Sequence, residues 1–251
     1  EIVAANITPY LTDGADIVVT KRTRPLCDVP EIVFGNMPND GGNLLLSDQE
    51  KVDLLVVEPN AAPFIRPLLG SREFINGIAR WCLWLVEVKP EELRRLPHVM
   101  ARVEKVRQYR LKSDRTATRE LARVPARFGE IRHPNSSYVL IPSVSSENRP
   151  YIPISIFNPN VIATNLCLII PNATMFHLGV LSSAMHMTWT RTVCGRLESR
   201  YRYSNTLVYN NFPWPQPTPA QAQAIEAAAQ GVLDARTQYP NSTLADLYDP
   251  V

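Results

Sequence analysis

The sequence predicts an α+β fold: a mixed or antiparallel sheet with flanking helices, followed by a short helical C-terminal segment. Three observations carry this expectation. Between residues 138 and 171, "YVLIP", "YIPISIF" and "TNLCLIIP" are apolar runs of strand length separated by polar loops. "PEELRRLPHVMARVEKVRQYRLKS" places Leu96, Met100, Val103 and Val106 at helical spacing, giving one buried stripe. "TPAQAQAIEAAAQGVLDARTQYP" is Ala-rich and amphipathic, with Thr218 as N-cap and Pro219 in the first turn. With 45% hydrophobic residues over 251 positions, the chain can bury one or two cores. Its 22 prolines and 10 glycines favour a stiff, loop-rich fold over a sheet built on glycine turns.

The remaining elements follow in order. Residues 1–30 read as short strands and turns, with "ADIVVTKRTRPL" alternating up to Pro25. "NMPNDGGN" is a turn, where Gly41 and Gly42 supply permissive backbone. Ser47 and Glu50 have the spacing of a capping box. "KVDLLVVEP" and "LWLVEVKP" read as buried strands. "APFIRPLLGSREFINGIARWCLWLV" reads as core, with Trp81 and Trp84 as packing residues. Residues 175–195 form a helix closed by Gly195, and "NTLVYNNFPWPQP" is a strand entering a Pro-rich connector. The missing initiator Met and the final "LADLYDPV" point to a segment cut from a longer protein.

Several function classes lack their motifs. The glycines form neither GxGxxG nor a P-loop. His98, His133, His177 and His186 have no zinc-site spacing, so no metal site is expected. Ser183 and His186 lack an acid to complete a triad, and no catalytic residue is assigned. Cys27, Cys82, Cys167 and Cys194 are scattered, which fits a reducing, cytoplasmic setting. No apolar run approaches the roughly 20 residues that span a bilayer, so no membrane partner is expected. One weak catalytic reading remains. Asp53, Glu87 and Lys89 on two strands mimic the D…ExK set of metal-dependent nucleases.

The charge distribution is more informative. Residues 89–132 hold 13 of the 26 basic residues and 6 of the 24 acids. That segment carries +7 while the rest of the chain carries −5, which points to a face for a polyanion. A second basic run, "RLESRYRYS", interleaves Arg196, Arg200 and Arg202 with Tyr201 and Tyr203. Such residues suit phosphate bonding and base stacking.

"SSENRPYIPI", "SSAMHMTWTRTVCGRLESRYRYS" and "YNNFPWP" resemble the C-terminal part of MmeI-like (type IIL) restriction–modification proteins. "NITPYL", "FGNMPNDGG" and "EPNAAPFIRPLLGSREFINGIARWCLWL" are similar to the opening of that family's target recognition domain. The resemblance covers nearly the whole chain. It implies a DNA-binding recognition domain over residues 1–212, then a Pro-rich connector and the start of a helical domain over 213–251. It implies double-stranded DNA as partner, with covalently linked methyltransferase and nuclease domains in the parent chain. The parent would be an adenine-specific DNA methyltransferase with restriction activity, using S-adenosylmethionine and Mg. This segment itself would be no enzyme and hold no cofactor. The family's Gly-rich cofactor motif is absent here, and "FNPNVI" has one Pro where the catalytic NPPY has two.

The site expectations follow from that resemblance and from side-chain chemistry. Glu147 and Arg149 lie two apart on a polar loop and would read one C·G pair. Glu accepts from the cytosine amine, and Arg forks onto guanine O6 and N7. Arg115 is a further base-reading candidate, with Lys112 and Arg119 on phosphates. Arg196, Arg200, Tyr201, Arg202, Tyr203 and Ser204 would anchor phosphates, or some of these arginines would pair with acids of the linked methyltransferase. A protein-interaction scaffold is the other alternative to DNA reading.

Overall fold

The computed structural model describes Val3, residues 5–11 and residues 13–249. Helices and several small sheets alternate along the chain, in the mixed α+β manner expected. The chain divides into two compact units. One comprises residues 34–137 and 157–169, and the other residues 1–33, 138–156 and 170–251.

The 34–137 unit is built on a mixed four-stranded sheet. The central strand Arg80–Leu83 pairs antiparallel with Leu45–Ser47 (Leu45 opposite Cys82) and with Ile65–Leu69 (Ile65 opposite Leu83). Ile65–Leu69 pairs in parallel with Ile162–Ala163 on its other edge. Leu46, Leu68, Cys82, Leu83 and Ile162 are buried, as are Leu96, which caps the helix Pro97–Leu111, and Val99, Val103 and Val106 within it, in the same apolar cluster. Each fully buried aliphatic side chain is worth roughly 1.5–3 kcal/mol. The expected single helix from residue 90 is two, Pro90–Arg94 and Pro97–Leu111. Pro97 starts the second, where its missing N–H costs nothing.

"KVDLLVVEP" is not a strand. Residues Asp48–Val57 are a helix, started by the Ser47–Glu50 capping box. Ser47 Oγ accepts from Glu50 N at 3.2 Å and Glu50 Oε2 accepts from Ser47 N at 2.9 Å. The cap commits the backbone before the β-branched residues that read as strand. Val52, Val56 and Val57 then point outward, and Leu54 alone is buried. Of "LWLVEVKP", only Leu83 belongs to a strand. At the turn before, Gly41 and Gly42 take φ of 63° and 82°, where a side chain is disfavoured.

The other unit holds the wholly buried strand Tyr138–Pro142 and the helices Met175–Leu181, Ala184–Val193 and Pro219–Thr237, the first of which packs against both the others. The helix expected over 175–195 breaks at Ser182–Ser183, and Ser183 caps the second half through His186 N at 3.2 Å. Gly195 opens a strand instead of closing that helix. Helix Pro219–Thr237 begins as expected, with Thr218 and Gln221 as a capping box. It crosses Met175–Leu181 at Gly179, where a Cβ would stand 2.7 Å from Ile225 Cγ2. The "YIPISIF" strand shortens to Ser155–Phe157, since Pro153 has no N–H to give a ladder.

"NTLVYNNFPWP" is also not a strand. Asn205–Tyr209 is one π-helical turn capped by Ser204 Oγ, which accepts from Leu207 N at 3.3 Å. The motif works as a staple for the N-terminal segment. Tyr209 Oη donates to Pro30 O at 2.7 Å, Asn210 Nδ2 to Arg22 O at 2.8 Å, and Asn211 Nδ2 to Thr20 O at 3.0 Å. Residues 15–30 carry no strand; Arg22 N and Leu26 N also donate to Thr206 O and Asn210 O of the same motif.

Candidate nucleic-acid interface

"GRLESRYRY" folds into a tight hairpin. Gly195–Leu197 pairs antiparallel with Arg200–Arg202, placing Arg196 opposite Tyr201 and Leu197 opposite Arg200. Glu198, in the two-residue turn, takes the left-handed region at φ 59°. The strand Arg200–Arg202 pairs on its far edge with Val144–Ser145, with Tyr201 opposite Ser145. Strand alternation then separates the side chains. Arg200 and Arg202 stand exposed on one face, while Tyr201 turns to the other and is buried. Arg196 covers Tyr201, with its guanidinium carbon 4.0 Å from the ring centroid. Arg200 pairs with Glu198 at 2.6 Å. The Arg202 side chain has no partner among the described residues.

Glu147 belongs to this surface. It follows the edge strand Val144–Ser145 and accepts a short hydrogen bond from Ser199 Oγ in the hairpin turn. That bond, followed by Glu147's own backbone N–H and by the charges of Arg196 and Arg200, lowers its pKa below the usual carboxylate value. Glu147 is therefore an ionised acceptor surrounded by arginines, the state needed to accept from a cytosine amine.

Besides Tyr201, which is buried under Arg196 and does not reach the surface as expected, three more of the residues assigned to DNA from sequence turn inward. Arg149 is 8% exposed. Its Nε meets Asp249 Oδ1 at 2.6 Å, and its Nη2 meets Asp249 Oδ2 at 3.1 Å. The edge that would fork onto a guanine is thus occupied. Tyr203 is 3% exposed, and its hydroxyl lies 2.9 Å from His186 Nε2. Burial pushes His186 down to about 3, so the imidazole is neutral at physiological pH. Ser204 spends its hydroxyl on the cap of the π-helical turn.

The second basic surface lies in the other unit. Lys112 ends the helix Pro97–Leu111, and Arg115 precedes the helix Thr116–Glu120. The side chains of both are exposed and have no partner among the described residues. Arg119 is also exposed, but held, donating from Nη1 to Ser113 O at 2.8 Å and from Nη2 to Thr116 Oγ1 at 2.9 Å.

The residue that organises this surface is Arg110, fully buried in the helix Pro97–Leu111. Nε donates to Asn39 O at 2.9 Å; Nη1 to Leu121 O at 2.9 Å and Val124 O at 3.1 Å; Nη2 to Pro38 O at 3.2 Å and Arg127 O at 2.7 Å. All the donor hydrogens of the guanidinium have a carbonyl. Burial still lowers its pKa, opposed by the nearby Asp40 charge. Sequence reasoning passed over it, yet a signal existed. Arg110 stands four residues after Val106 and continues the buried stripe.

The nuclease alternative loses its scaffold. Asp53 sits on the helix Asp48–Val57, bonded to Gln49 Nε2 at 2.7 Å, and Lys89 precedes the helix Pro90–Arg94. Among the described residues no group of three or more His, Cys, Asp or Glu is arranged to hold a metal ion. The residues here do not fit a Mg site. No helix among the described residues is long and apolar enough to cross a membrane.

Comparison with known proteins decides the family. Residues 13–216 match the family profile "MmeI, target recognition domain", and residues 217–251 match "MmeI, C-terminal domain". The chain belongs to the MmeI target recognition domain family. It is 43% identical over 246 residues to DNA methyltransferase A of Bacillus subtilis (strain 168), covering 98% of this chain and 28% of that protein. Its fold superposes on the type IIL restriction-modification enzyme MmeI, solved in complex with DNA, with a TM-score of 0.94 at 49% identity. That match covers 99% of this chain and 33% of the MmeI chain, so the MmeI-type segment spans about a third of the relatives it matches. The type IIG restriction endonuclease BpuSI shares the fold at 14% identity, with a TM-score of 0.52 over 80% of this chain and 25% of BpuSI.

Proposed function

We propose that this MmeI-family chain recognises double-stranded DNA by sequence, on behalf of a covalently attached adenine-specific methyltransferase and nuclease. The observation that carries the reading is the 0.94 TM-score, at 49% identity, to an enzyme solved with DNA. The catalytic chemistry, with S-adenosylmethionine and Mg, belongs to other parts of the parent protein. A methyltransferase must flip its target base, and the recognition domain grips the duplex beside that base.

Within this reading the two basic surfaces divide the work. Arg200 and Arg202, exposed on one face of the hairpin, bond phosphates and fix the register. Glu147, ionised and supported by Ser199, reads the cytosine amine of one pair. Arg149 reads the guanine of that pair only after DNA exchanges its contact with Asp249. Tyr203 and Ser204 serve this surface from inside, as support for the hairpin's base. Lys112 and Arg119 meet phosphates, and Arg115, unpaired and exposed, is the third base-reading residue.

The test is selection of duplexes from a random pool by the purified full-length parent, catalysis being withheld. Enrichment of one short motif supports the reading. Retention of all sequences alike would leave only a non-specific polyanion surface or a scaffold.

A further inference from the structure

An open hollow of about 400 Å³ lies between the helix Pro97–Leu111 and the segment 116–123, lined by Arg107, Thr116, Arg119, Glu120 and Arg123 among others. Three arginines line it against one glutamate, a net charge of +2 among its lining residues. Like charges repel, so their convergence on one concave site calls for an anion.

The hollow is also braced. Arg110 donates to Leu121 O and Val124 O, which fastens the backbone on both sides of Arg123 to the helix that carries Arg107. Arg119 is held by Ser113 O and by the Thr116 hydroxyl. Arg107 is tied only to Glu104, at 3.4 Å and with both side chains about half exposed, a pair that is weak in water. The Arg123 side chain has no partner among the described residues. Two of the three cations are thus free to turn to a ligand at little cost.

We propose that Arg107, Arg119 and Arg123 form a seat for one phosphodiester of the DNA backbone, with the Thr116 hydroxyl as a further donor. Arginine presents a planar fork that matches phosphate oxygens, and a braced seat fixes register without reading bases. The inference rests on the DNA-recognition reading, which already puts Arg119 on a phosphate, and adds Arg107, Arg123 and Thr116 to it.

The experiment measures duplex affinity of the full-length parent across a salt series, on cognate and scrambled DNA. The variants are Arg107→Gln/Arg123→Gln and Arg107→Lys/Arg123→Lys. Neutralised phosphates release counterions, so each lost contact lowers the slope of log affinity against log salt by about 1. The Gln pair is expected to lose about that much on both DNAs, and the Lys pair to keep most of it. An unchanged slope in the Gln pair, or a loss confined to cognate DNA, overturns the seat while recognition stands. Absence of any duplex binding by the unaltered parent overturns the recognition reading, and the seat with it.

Discussion

Arg149 and Asp249 meet at two points, Nε to Oδ1 at 2.6 Å and Nη2 to Oδ2 at 3.1 Å. The arginine side chain is 9% exposed and the aspartate 44%, so the pair is half shielded from water. Asp249→Ala leaves a guanidinium buried without its counter-charge. Part of that loss is screened, because the aspartate side is wet. Chemical denaturation is expected to show a loss of about 1–2 kcal/mol. The double variant Arg149→Asp/Asp249→Arg is expected to regain about half of it or more. No regain would mean that the contact is not an ion pair in solution.

Arg110 supplies the sharpest stability prediction. Its five bonds go to carbonyls of Pro38, Asn39, Leu121, Val124 and Arg127. Lysine keeps the charge but brings three donors, so two carbonyls lose their partner. Each buried unsatisfied group costs about 1–3 kcal/mol, so Arg110→Lys is expected to destabilise by about 2–6 kcal/mol. Hydrogen exchange should show residues 121–127 opening first. Wild-type protection there in the variant would contradict the account.

His186 makes stability fall in acid. Its pKa is depressed from 6.5 to about 3 by burial, and His133 and His177 shift in the same direction. Above pH 6.5 the imidazole is neutral folded or unfolded and contributes no pH dependence. As pH falls below that value, the unfolded chain takes up a proton that the folded chain refuses. Each unit then costs up to about 1.4 kcal/mol for this group. His186→Gln is expected to flatten stability against pH between about 6 and 4, whatever its effect at neutral pH. An unchanged slope would show that His186 is not buried as described.

Gly179 sets the approach of two helices. A Cβ there meets Ile225 Cγ2 at 2.7 Å and Ile225 O at 2.8 Å, and a carbonyl cannot rotate away. Gly179→Ala is expected to destabilise by about 1–3 kcal/mol, despite alanine's better helix propensity. A higher melting temperature would mean that the helices slide freely at this crossing.

The pattern of what sequence revealed follows from range. Caps and stripes are local, so the Ser47–Glu50 box, the Thr218 cap and the Leu96–Val106 stripe were all legible. In "KVDLLVVEP" the β-branched run signals a strand, and the cap just before it outweighs that propensity. "NTLVYNNF" failed for another reason: its turn is held by side chains bonding residues 20–30, far away in sequence. Arg149 looked like a loop-tip reader because its partner lies 100 residues on. Glu147 and the exposed hairpin arginines share one surface only through the pairing of Arg200–Arg202 with Val144–Ser145, far apart in sequence, so sequence placed them in separate groups.

The most direct test of the central claim is the sequence context of modified adenines in a host carrying the full-length parent. Three forms are compared: unaltered, Glu147→Lys, and Arg149→Asp/Asp249→Arg. If this chain reads DNA through the loop beside the hairpin, one position of the motif changes from C·G to another pair in the altered forms. The rest of the motif stays. Modification of the same motif in all three forms would contradict the assignment of the reading to Glu147 and Arg149.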